Sequence, residues 1–264
     1  MTPSQTLEEA PRIVCQFSCG AASAIATKLT LAQYPASRVV IVNAFIVEEH
    51  EDNRRFAADC EKWFGQPIAV LRDTKYGAST KEVWRRKQYI KGQFGAPCSM
   101  ELKRRLLATV SRPDDIAVIG YTLEEQDRFE ELQQNFPDIH WDAPLIRAGL
   151  SHDDCLTMIR DAGIVLPMMY RLGYRNANCK GCPKGGQGYW QAIREDFPAD
   201  FAEIMAIQED IGPGAYFLRF RSGPREGERM SLKDLPAGKG DRSTPIGSCS
   251  FQCDQIEREI GVRA

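Results

Sequence analysis

The sequence predicts an α/β fold in which a doubly wound, mainly parallel sheet is followed by a mostly helical C-terminal part. Two observations support this prediction. Short apolar, β-branched runs take turns with amphipathic helical patterns over the first half of the chain, which is typical of βαβ units. The character of the sequence then changes near residue 145, so we expect parts at 1–145 and 146–264 that pack as one unit. A length of 264 residues allows one large domain with a modest appendage.

The first half contains the predicted strands and the helices between them. The strands are predicted at residues 12–17, 39–47, 68–71 and 115–119. Helical patterns follow a small-residue turn at 18–23 and recur at 51–64, 100–110 and 123–134. In 51–64, the apolar residues stand at positions i, i+4, i+7 and i+8, which share one helix face. The run at 39–47 is of the type that is buried on both faces of a parallel sheet.

Helical signals dominate after residue 145. Ser151 is a predicted helix N-cap, with Asp154 three positions later. A loop at 171–188, rich in Gly, Asn, Cys and Lys, precedes a helical stretch from Trp190 to Ile207. One strand-like segment at 215–220 then leads into a tail rich in Gly, Pro and Ser.

Composition and charge exclude several classes of protein. With 34 Lys and Arg against 36 Asp and Glu, the formal net charge is -2, so no global basic field attracts nucleic acid or an anionic membrane. A hydrophobic fraction of 43% is typical of a folded globular protein. No apolar run reaches the roughly 18 residues of a membrane span, and the polar start lacks a signal-peptide pattern. We therefore expect a cytoplasmic protein without a membrane partner.

The nine cysteines fall into two groups. The cysteines within predicted elements or turns, which we expect to be core or turn residues, are Cys15, Cys19, Cys60 and Cys155. The cysteines in settings rich in Gly, Pro, Asn and Ser, which we expect to be ligands or reactive thiols, are Cys98, Cys179, Cys182, Cys249 and Cys253. A reducing cytoplasm does not use cysteines for a disulfide framework, so the second group needs another explanation.

Cys179 and Cys182 form the clearest cysteine motif. Two residues separate them, one of them Gly181, so both thiolates can bind one metal ion or adjacent corners of one cluster. Such a pair also serves in thiol–disulfide redox chemistry, or has no chemical role. Two thiolates do not complete a metal site, so we expect Cys98 and one or both of the tail cysteines to complete it. A site of cysteine thiolates suits either zinc or an iron–sulfur cluster.

The turn between the first strand and the first helix is a predicted anion site. It consists of Ser18, Cys19, Gly20, Ala21, Ala22 and Ser23. Small side chains let the backbone approach a phosphate, and the amides of the helix N-terminus supply positive potential. The turn follows the carboxyl end of a strand, where open α/β sheets bind their ligands. Close packing of strand and helix, without a ligand, is the alternative explanation.

Taken together, these motifs resemble the adenine-nucleotide alpha-hydrolase superfamily, whose phosphate loop is the PP-loop. The chain is most similar in pattern to the iron–sulfur type of its phosphoadenosine-phosphosulfate reductase-like branch, over roughly residues 12–210. Further segments that carry the resemblance are 48–52, Pro97-Cys98 with 103–105, Gly120-Tyr121 with Glu125 and Arg128, and 178–186 followed by Tyr189-Trp190.

The resemblance implies a Rossmann-like PP-loop domain and a set of site residues. The expected nucleotide-binding residues are Ser18, Cys19, Gly20, Ala21, Ala22, Ser23, Glu49, Lys103 and Arg104. The expected metal ligands are Cys98, Cys179, Cys182 and Cys253. Cys249 is the candidate catalytic thiol, although it lacks the Glu-Cys-Gly context of the nucleophilic cysteine in the family's reductases. The implied cofactor is an iron–sulfur cluster of the 4Fe-4S kind, with zinc as the alternative. ATP or another adenine nucleotide is the implied cosubstrate, together with Mg²⁺.

The loop departs from the pattern of the ATP-pyrophosphatases of this superfamily. These enzymes carry Ser-Gly-Gly-x-x-Ser with a Lys-Asp pair before the last Ser, whereas this chain has Cys19, Ala21 and Ala22 at those places. Three functions therefore stay open. The first is an ATP-dependent sulfurtransferase, the second a sulfonucleotide reductase that uses Cys249 or Cys253 and releases sulfite, and the third a nucleotide- or metal-binding adaptor without turnover.

Local basic clusters predict the remaining partners. Lys103, Arg104 and Arg105 follow Cys98 closely and are expected either to be a solvated face or to neutralise the charge of phosphate or of the cluster. A second group, expected either to be a solvated face or to bind a nucleic-acid acceptor, comprises Arg219, Arg221, Arg225 and Arg229 with Tyr216, Phe217 and Phe220. The other expected partners are a sulfur-donor protein or thioredoxin, and a second copy of the chain in a homodimer.

Overall fold

The computed structural model describes residues 10–92, 95–244 and 246. Its strands are β1 (Ile13–Gln16), β2 (Val39–Ala44), β3 (Ile68–Leu71), β4 (Ile116–Val118), β5 (His140–Asp142), β6 (Leu218–Arg219) and β7 (Arg229–Met230). Its first helices are α1 (Ala21–Gln33), α2 (Asp52–Phe64), α3 (Thr80–Lys87), α4 (Pro97–Ser99) and α5 (Arg105–Ala108). The later helices are α6 (Gln126–Asn135), α7 (Pro144–Arg147), α8 (His152–Asp161), α9 (Met168–Arg171), α10 (Gln187–Asp196) and α11 (Pro198–Ile211).

The main sheet has five parallel strands in the order β3-β2-β1-β4-β5. The predicted α/β character with a parallel sheet is thereby confirmed. Consecutive residues Ile13, Val14 and Cys15 of β1 are all buried, so both faces of the central strand are covered. The chain adds strands first on one side of β1 and then on the other, which places the topological switch point between β1 and β4. Ligands of such sheets bind at the carboxyl ends of the strands beside this point.

The chain forms two compact units, each built from separated stretches of sequence. The first contains the described residues up to Ala44, together with Glu51–Leu71 and Leu107–Met168, and it holds the whole five-stranded sheet. The second contains Phe45–His50, Arg72–Leu106 and the described residues from Met169 onward. The division of the chain into 1–145 and 146–264 stays a prediction.

The second unit is organised around a hydrophobic core that includes Trp84, Cys98, Cys182, Tyr189 and Trp190. Helices α10 and α11 supply many of its residues. The sequence predicted one helical stretch from Trp190 onward, but the structure divides it into these two helices at Pro198. Proline occupies the first turn of α11, where a missing amide hydrogen costs nothing. The short antiparallel pair β6–β7 adds the only strands in the described part of this unit.

Several elements differ from their predicted bounds. β2 ends at Ala44 and not at residue 47, because Phe45–His50 belongs to the second unit. The predicted helix at 100–110 is wound as a π-helix over Met100–Arg104 before α5 begins. The predicted cap of α8 is confirmed, since the Ser151 hydroxyl accepts from the Asp154 amide and the Asp154 carboxylate accepts from the Ser151 amide. Among the residues described, no helix is both long and apolar enough to cross a membrane.

Candidate functional site

The loop between β1 and α1 is held in shape by Ser23. The Ser23 hydroxyl accepts from the Ser18 amide (3.1 Å) and the Ser18 hydroxyl (3.2 Å), and it donates to the Gly20 carbonyl (2.9 Å). Gly20 is the N-cap of α1, and no side chain caps the helix there. The first turn of a helix presents amides that the helix itself does not bond. The loop is therefore a preformed turn whose uncapped helix N-terminus suits an anion, while the Ser23 hydroxyl serves the loop itself.

Cys19 adopts an unusual backbone conformation in this loop. Its φ is 57°, in the left-handed region that favours glycine. The side chain is buried, and the Asn43 amide of β2 donates both to Cys19 Sγ (3.6 Å) and to the Phe17 carbonyl (2.8 Å). Asn43 thus ties the loop to the neighbouring strand. Sequence reasoning missed Asn43, although a buried amide within an otherwise apolar strand run is a usable signal.

Gly120 packs against the Ser18–Ser23 loop from the β4 side of the switch point. It follows β4, and a Cβ atom at this position would lie 2.8 Å from the Ser23 amide nitrogen and 2.9 Å from Ser23 Cα. Real Cβ atoms do not approach backbone so closely, so glycine is required here. Beyond it, Glu125 forms a capping box with Thr122 and an ion pair with Arg128. The predicted Gly120 motif therefore lies directly against the predicted phosphate loop.

The segment after β2 brings two predicted nucleotide-binding residues together in the second unit. Glu49 Oε1 and Lys103 Nζ are 3.4 Å apart. Glu48, which precedes Glu49 in the chain, is buried. Its carboxylate accepts hydrogen bonds from the Ser79 hydroxyl (2.5 Å) and the Thr80 amide (2.8 Å), and so caps the N-terminus of α3. Glu49 and Lys103 are therefore one ion pair, and Glu48 has a structural role that the sequence did not reveal.

The predicted basic residues after Cys98 lie in the π-helix. Lys103 is mostly buried and Arg104 is buried. A π-helical segment is rare and is frequently found at functional sites. Cys98 precedes it in α4 and is itself buried in the second unit's core. The sequence predicted an α-helix here, because a short π-helical segment produces no distinct pattern of apolar residues.

The predicted ligand pair lies on a tight loop of the second unit. Gly181 has a φ of 85°, and a Cβ atom there would lie 2.3 Å from Ile204 Cδ1, so the loop requires glycine. The Tyr189 hydroxyl donates to the Cys179 carbonyl (2.8 Å) and accepts from the amides of Gly181 (3.0 Å) and Cys182 (2.9 Å). Tyr189 is part of the sequence motif that follows the cysteine pair, but only the fold shows that its hydroxyl bonds the cysteine loop.

Three of the four cysteines predicted as metal ligands lie in the described part of the second unit. Cys98 and Cys182 are buried in the hydrophobic core of the second unit, and Cys179 packs against that core. Within the described ranges, no group of three or more His, Cys, Asp or Glu side chains is placed to hold a metal ion. Cys249, the predicted catalytic thiol, and Cys253, the predicted fourth ligand, lie outside the described residues. The complete ligand set stays a prediction.

The surroundings of these cysteines nevertheless fit a thiolate-bound metal group. Ser99 Oγ and Asn178 Nδ2, the residues next to Cys98 and Cys179, are buried and have no hydrogen-bond partner among the described residues. An unpaired buried donor costs about 1–3 kcal/mol, and a thiolate or sulfide is an acceptor that would pair with it. Burial lowers the pKa of Lys91, and the nearby Cys182 thiol opposes that shift. The donors and the cation both suit negatively charged sulfur.

Three other cysteines are confirmed as buried core residues. Cys15, Cys60 and Cys155 are each almost inaccessible to solvent. Burial raises the pKa of each of these thiols to about 12. A thiol with such a pKa is not a thiolate at neutral pH, so it is a poor ligand and a poor nucleophile.

A charged cavity lies in the second unit beside the cysteine loop. Its volume is about 290 Å³, and it is lined by Val47, Glu48, Ser79, Lys81, Arg85, Lys180, Asp200 and Glu203. Lys81 Nζ pairs with Asp200 (2.9 Å) and Glu203 (2.7 Å), and Lys180 Nζ lies 3.3 Å from Asp200. Burial would raise the pKa of Asp200, but Lys81 and Lys180 hold it below its ordinary value. These charges neutralise one another and join α3, α11 and the cysteine loop.

The arginines predicted to bind nucleic acid are exposed around β6 and β7. They are Arg219, Arg221, Arg225 and Arg229. Arg225 pairs with Glu228, and its guanidinium lies 4.2 Å from the Phe220 ring centroid. The four arginines therefore form an exposed basic surface. Phe217 and Phe220 pack against the hydrophobic core, so their rings are poorly placed to stack on nucleic-acid bases.

The fold and these residues define a class of protein. It is an α/β protein with a five-stranded parallel sheet, whose phosphate-loop candidate lies at the topological switch point. Neither a protein-family model nor a curated protein matches this chain.

Proposed function

We propose that this chain is an adenine-nucleotide-dependent sulfur-handling enzyme, a sulfurtransferase of the ATP-pyrophosphatase type that uses an iron–sulfur cluster. One observation carries the proposal. The Ser18–Ser23 turn lies at the switch point of a parallel sheet, and Gly120 packs against it so closely that a Cβ would not fit. Such a site suits the phosphates of a nucleotide.

In this proposal, the loop binds phosphate through its backbone. The uncapped N-terminus of α1 supplies amides and a positive dipole end, and Ser23 keeps the turn rigid without using a charged side chain. Because the loop lacks a lysine, the charge of the nucleotide must also be balanced by another cation, for which Mg²⁺ is the proposed source.

The proposed reaction begins with activation of an acceptor by ATP. An acceptor oxygen attacks the α-phosphorus, a new P–O bond forms, and pyrophosphate leaves with the electron pair of the broken bond. Sulfide then attacks the activated carbon, and the original oxygen leaves as part of AMP. The exchange of oxygen for sulfide is redox-neutral when sulfide is the donor. The proposed acceptor class is a nucleic acid.

The cluster belongs to the second unit in this proposal. Cys98, Cys179 and Cys182 would hold it, with Cys253 as the fourth ligand, and Ser99 and Asn178 would donate hydrogen bonds to its sulfur atoms. When bound, such a cluster would supply a site for inorganic sulfide only where its fourth iron is open, that is, where Cys253 does not occupy it. The chain's own residues exclude water there, since Cys98 and Cys182 lie in the hydrophobic core.

A sulfonucleotide reductase is the second candidate, favoured by the loop itself. Cys19, Ala21 and Ala22 replace the residues that ATP-pyrophosphatases use. In that reaction a thiolate, Cys249 or Cys253, attacks the sulfonyl sulfur and expels the nucleotide monophosphate. A thiolate of a dithiol reductant such as thioredoxin then attacks the cysteine sulfur of the enzyme-bound S-sulfocysteine, a mixed disulfide forms, and sulfite leaves with the electron pair of the broken S–S bond. The second thiol of the reductant reduces the mixed disulfide and restores the enzyme's thiol.

Product analysis tests these alternatives. Anaerobically purified protein is incubated with ATP, sulfide and a nucleic-acid mixture, and in parallel with adenylylsulfate or its 3′-phosphate and a dithiol reductant. We expect AMP and pyrophosphate in the first reaction, in equal amounts. Sulfite in the second reaction alone would favour the reductase, and nucleotide binding without any product would favour an adaptor. Absence of nucleotide binding would overturn the proposal.

A further inference from the structure

One buried hydroxyl organises the loop that carries the cysteine pair. The Tyr189 hydroxyl makes one hydrogen bond as donor, to the Cys179 carbonyl, and two as acceptor, from the Gly181 and Cys182 amides. A phenol oxygen carries one hydrogen and offers lone pairs for two donors. All of its capacity is therefore used by the backbone of residues 179–182.

The ring that carries this hydroxyl cannot move away. Tyr189 is 1% exposed. A Cβ atom at Gly185 would lie 2.0 Å from the ring, so that glycine is required for the ring to occupy its place. Trp190 and Tyr174 pack edge-to-face against the ring, each with 5.9 Å between centroids.

The outer side of the loop is held as well. The Lys180 amide donates to the Glu48 carbonyl (2.9 Å), and Lys180 Nζ pairs with Asp200. The Gly185 amide donates to the Cys182 carbonyl (3.0 Å), which continues the loop as a turn.

We infer that Tyr189 is a positioning residue, whose hydroxyl sets the backbone of residues 179–182 and thereby the spacing of the two thiols before any metal binds. The use of this spacing for a metal rests on the proposed function. The positioning itself does not, because all the contacts that support it lie within the chain.

Replacing Tyr189 by Phe tests the inference, with Tyr174→Phe as the matched control. Tyr174 is buried in the same aromatic cluster, but its hydroxyl donates to Asp196 (2.8 Å) and does not touch the cysteine loop. The full chain, reduced and free of metal, is treated with iodoacetamide, and alkylation of each cysteine is followed by mass spectrometry. We expect Tyr189→Phe to speed alkylation of Cys182 by about tenfold or more, the equivalent of about 1.4 kcal/mol.

The control separates positioning from general loss of stability. We expect Tyr174→Phe to change the alkylation rate of Cys182 by less than about twofold, even where it lowers the free energy of unfolding as much. Equal alkylation rates in wild type and Tyr189→Phe would overturn the inference. So would equal acceleration by both substitutions.

Hydrogen exchange in the wild-type chain keeps the inference testable if Tyr189→Phe does not fold. We expect the Gly181 and Cys182 amides to exchange at least about 100-fold more slowly than unstructured amides, because a buried hydroxyl accepts from both. Rapid exchange of either amide would contradict it. Neither measurement uses a nucleotide, so an inactive chain with a rigid loop would refute only the proposed function.

Discussion

Four buried donors of the second unit have no acceptor among the described residues, and at the residue scale the two beside the predicted ligands support the proposed metal group. The four donors are Trp84 Nε1, Ser99 Oγ, Asn178 Nδ2 and Trp190 Nε1. Native proteins pair nearly all buried polar groups, so four such donors in one unit require an explanation. Two of them adjoin the predicted ligands Cys98 and Cys179. A group that only accepts hydrogen bonds, such as the sulfide of a thiolate-bound cluster, would pair with these donors.

Ser99→Ala is predicted to affect the metal-free and the metal-loaded protein differently. Without metal, the substitution removes an unpaired buried hydroxyl, so we expect the free energy of unfolding to stay equal or to rise by about 1 kcal/mol. With the cluster bound, it removes a donor to sulfur, and we expect a shift in the reduction potential. Chemical denaturation and redox titration measure the two effects.

Ser231→Ala is the control for this prediction. The Ser231 hydroxyl is also buried, but it accepts from the Lys233 amide (2.9 Å) and donates to Glu209 (3.2 Å). Its loss should lower the free energy of unfolding by about 1 kcal/mol in the metal-free chain. A comparable loss for Ser99→Ala without metal would show that its hydroxyl already has a partner.

At the scale of elements, the candidate nucleotide site depends on how closely β4 approaches the start of α1. The strands themselves were predictable, because β1 and β2 carry the β-branched runs of a sheet buried on both faces. β5 was not, since three residues of mixed polarity, His140–Asp142, leave too short a pattern. Helix α3 was also missed, because its basic residues obscure the buried Val83 and Trp84. The role of Gly120 follows only from a distance across the fold.

Gly120→Ala is predicted to weaken nucleotide binding. The added Cβ must displace the Ser23 backbone, from which it would lie 2.8 Å. We expect the affinity for ATP to fall by about tenfold or more, which corresponds to about 1.4 kcal/mol. Gly214→Ala is the control, since a Cβ there meets no atom within 4 Å. Unchanged affinity in a folded Gly120→Ala protein would argue against a nucleotide at this loop.

The ion pairs between α3 and α11 predict a dependence of stability on pH. The pKa of Asp200 is lowered from its ordinary value of 3.8, against burial, by Lys81 and Lys180. A depressed carboxyl pKa contributes stability above pH 3.8, and this contribution is lost as the pH falls toward the folded-state pKa. Asp200→Asn should therefore lower the free energy of unfolding at pH 7 by about 1–2 kcal/mol and flatten its decline below pH 4.

Denaturant unfolding at several pH values measures this prediction. Glu228→Gln is the control, because the Arg225–Glu228 pair is exposed on both sides and should contribute little. If the free energy of unfolding of Asp200→Asn declines below pH 4 as steeply as that of the wild type, then Lys81 and Lys180 do not lower the pKa of Asp200.

At the scale of the whole molecule, the two kinds of candidate chemistry belong to separate compact units. The phosphate loop is part of the unit with the parallel sheet, and Cys98, Cys179 and Cys182 are part of the other. Both motifs were visible in the sequence, because small residues at a strand end and cysteines two residues apart are local patterns. The roles of Glu48 and Asn43 come from contacts between distant segments, and that of Tyr189 comes from hydrogen bonds to the loop just before its own helix. Residue spacing encodes neither kind of contact.

The central claim is that the second unit holds an iron–sulfur cluster for sulfur chemistry. The most direct test is iron and acid-labile sulfide analysis of anaerobically purified protein, together with its visible spectrum. We predict a brown protein with about four iron and four sulfide atoms per chain, with loss of both in Cys179→Ser and retention in Cys60→Ala. A colourless wild-type chain, or one that contains zinc and no iron, would contradict the account.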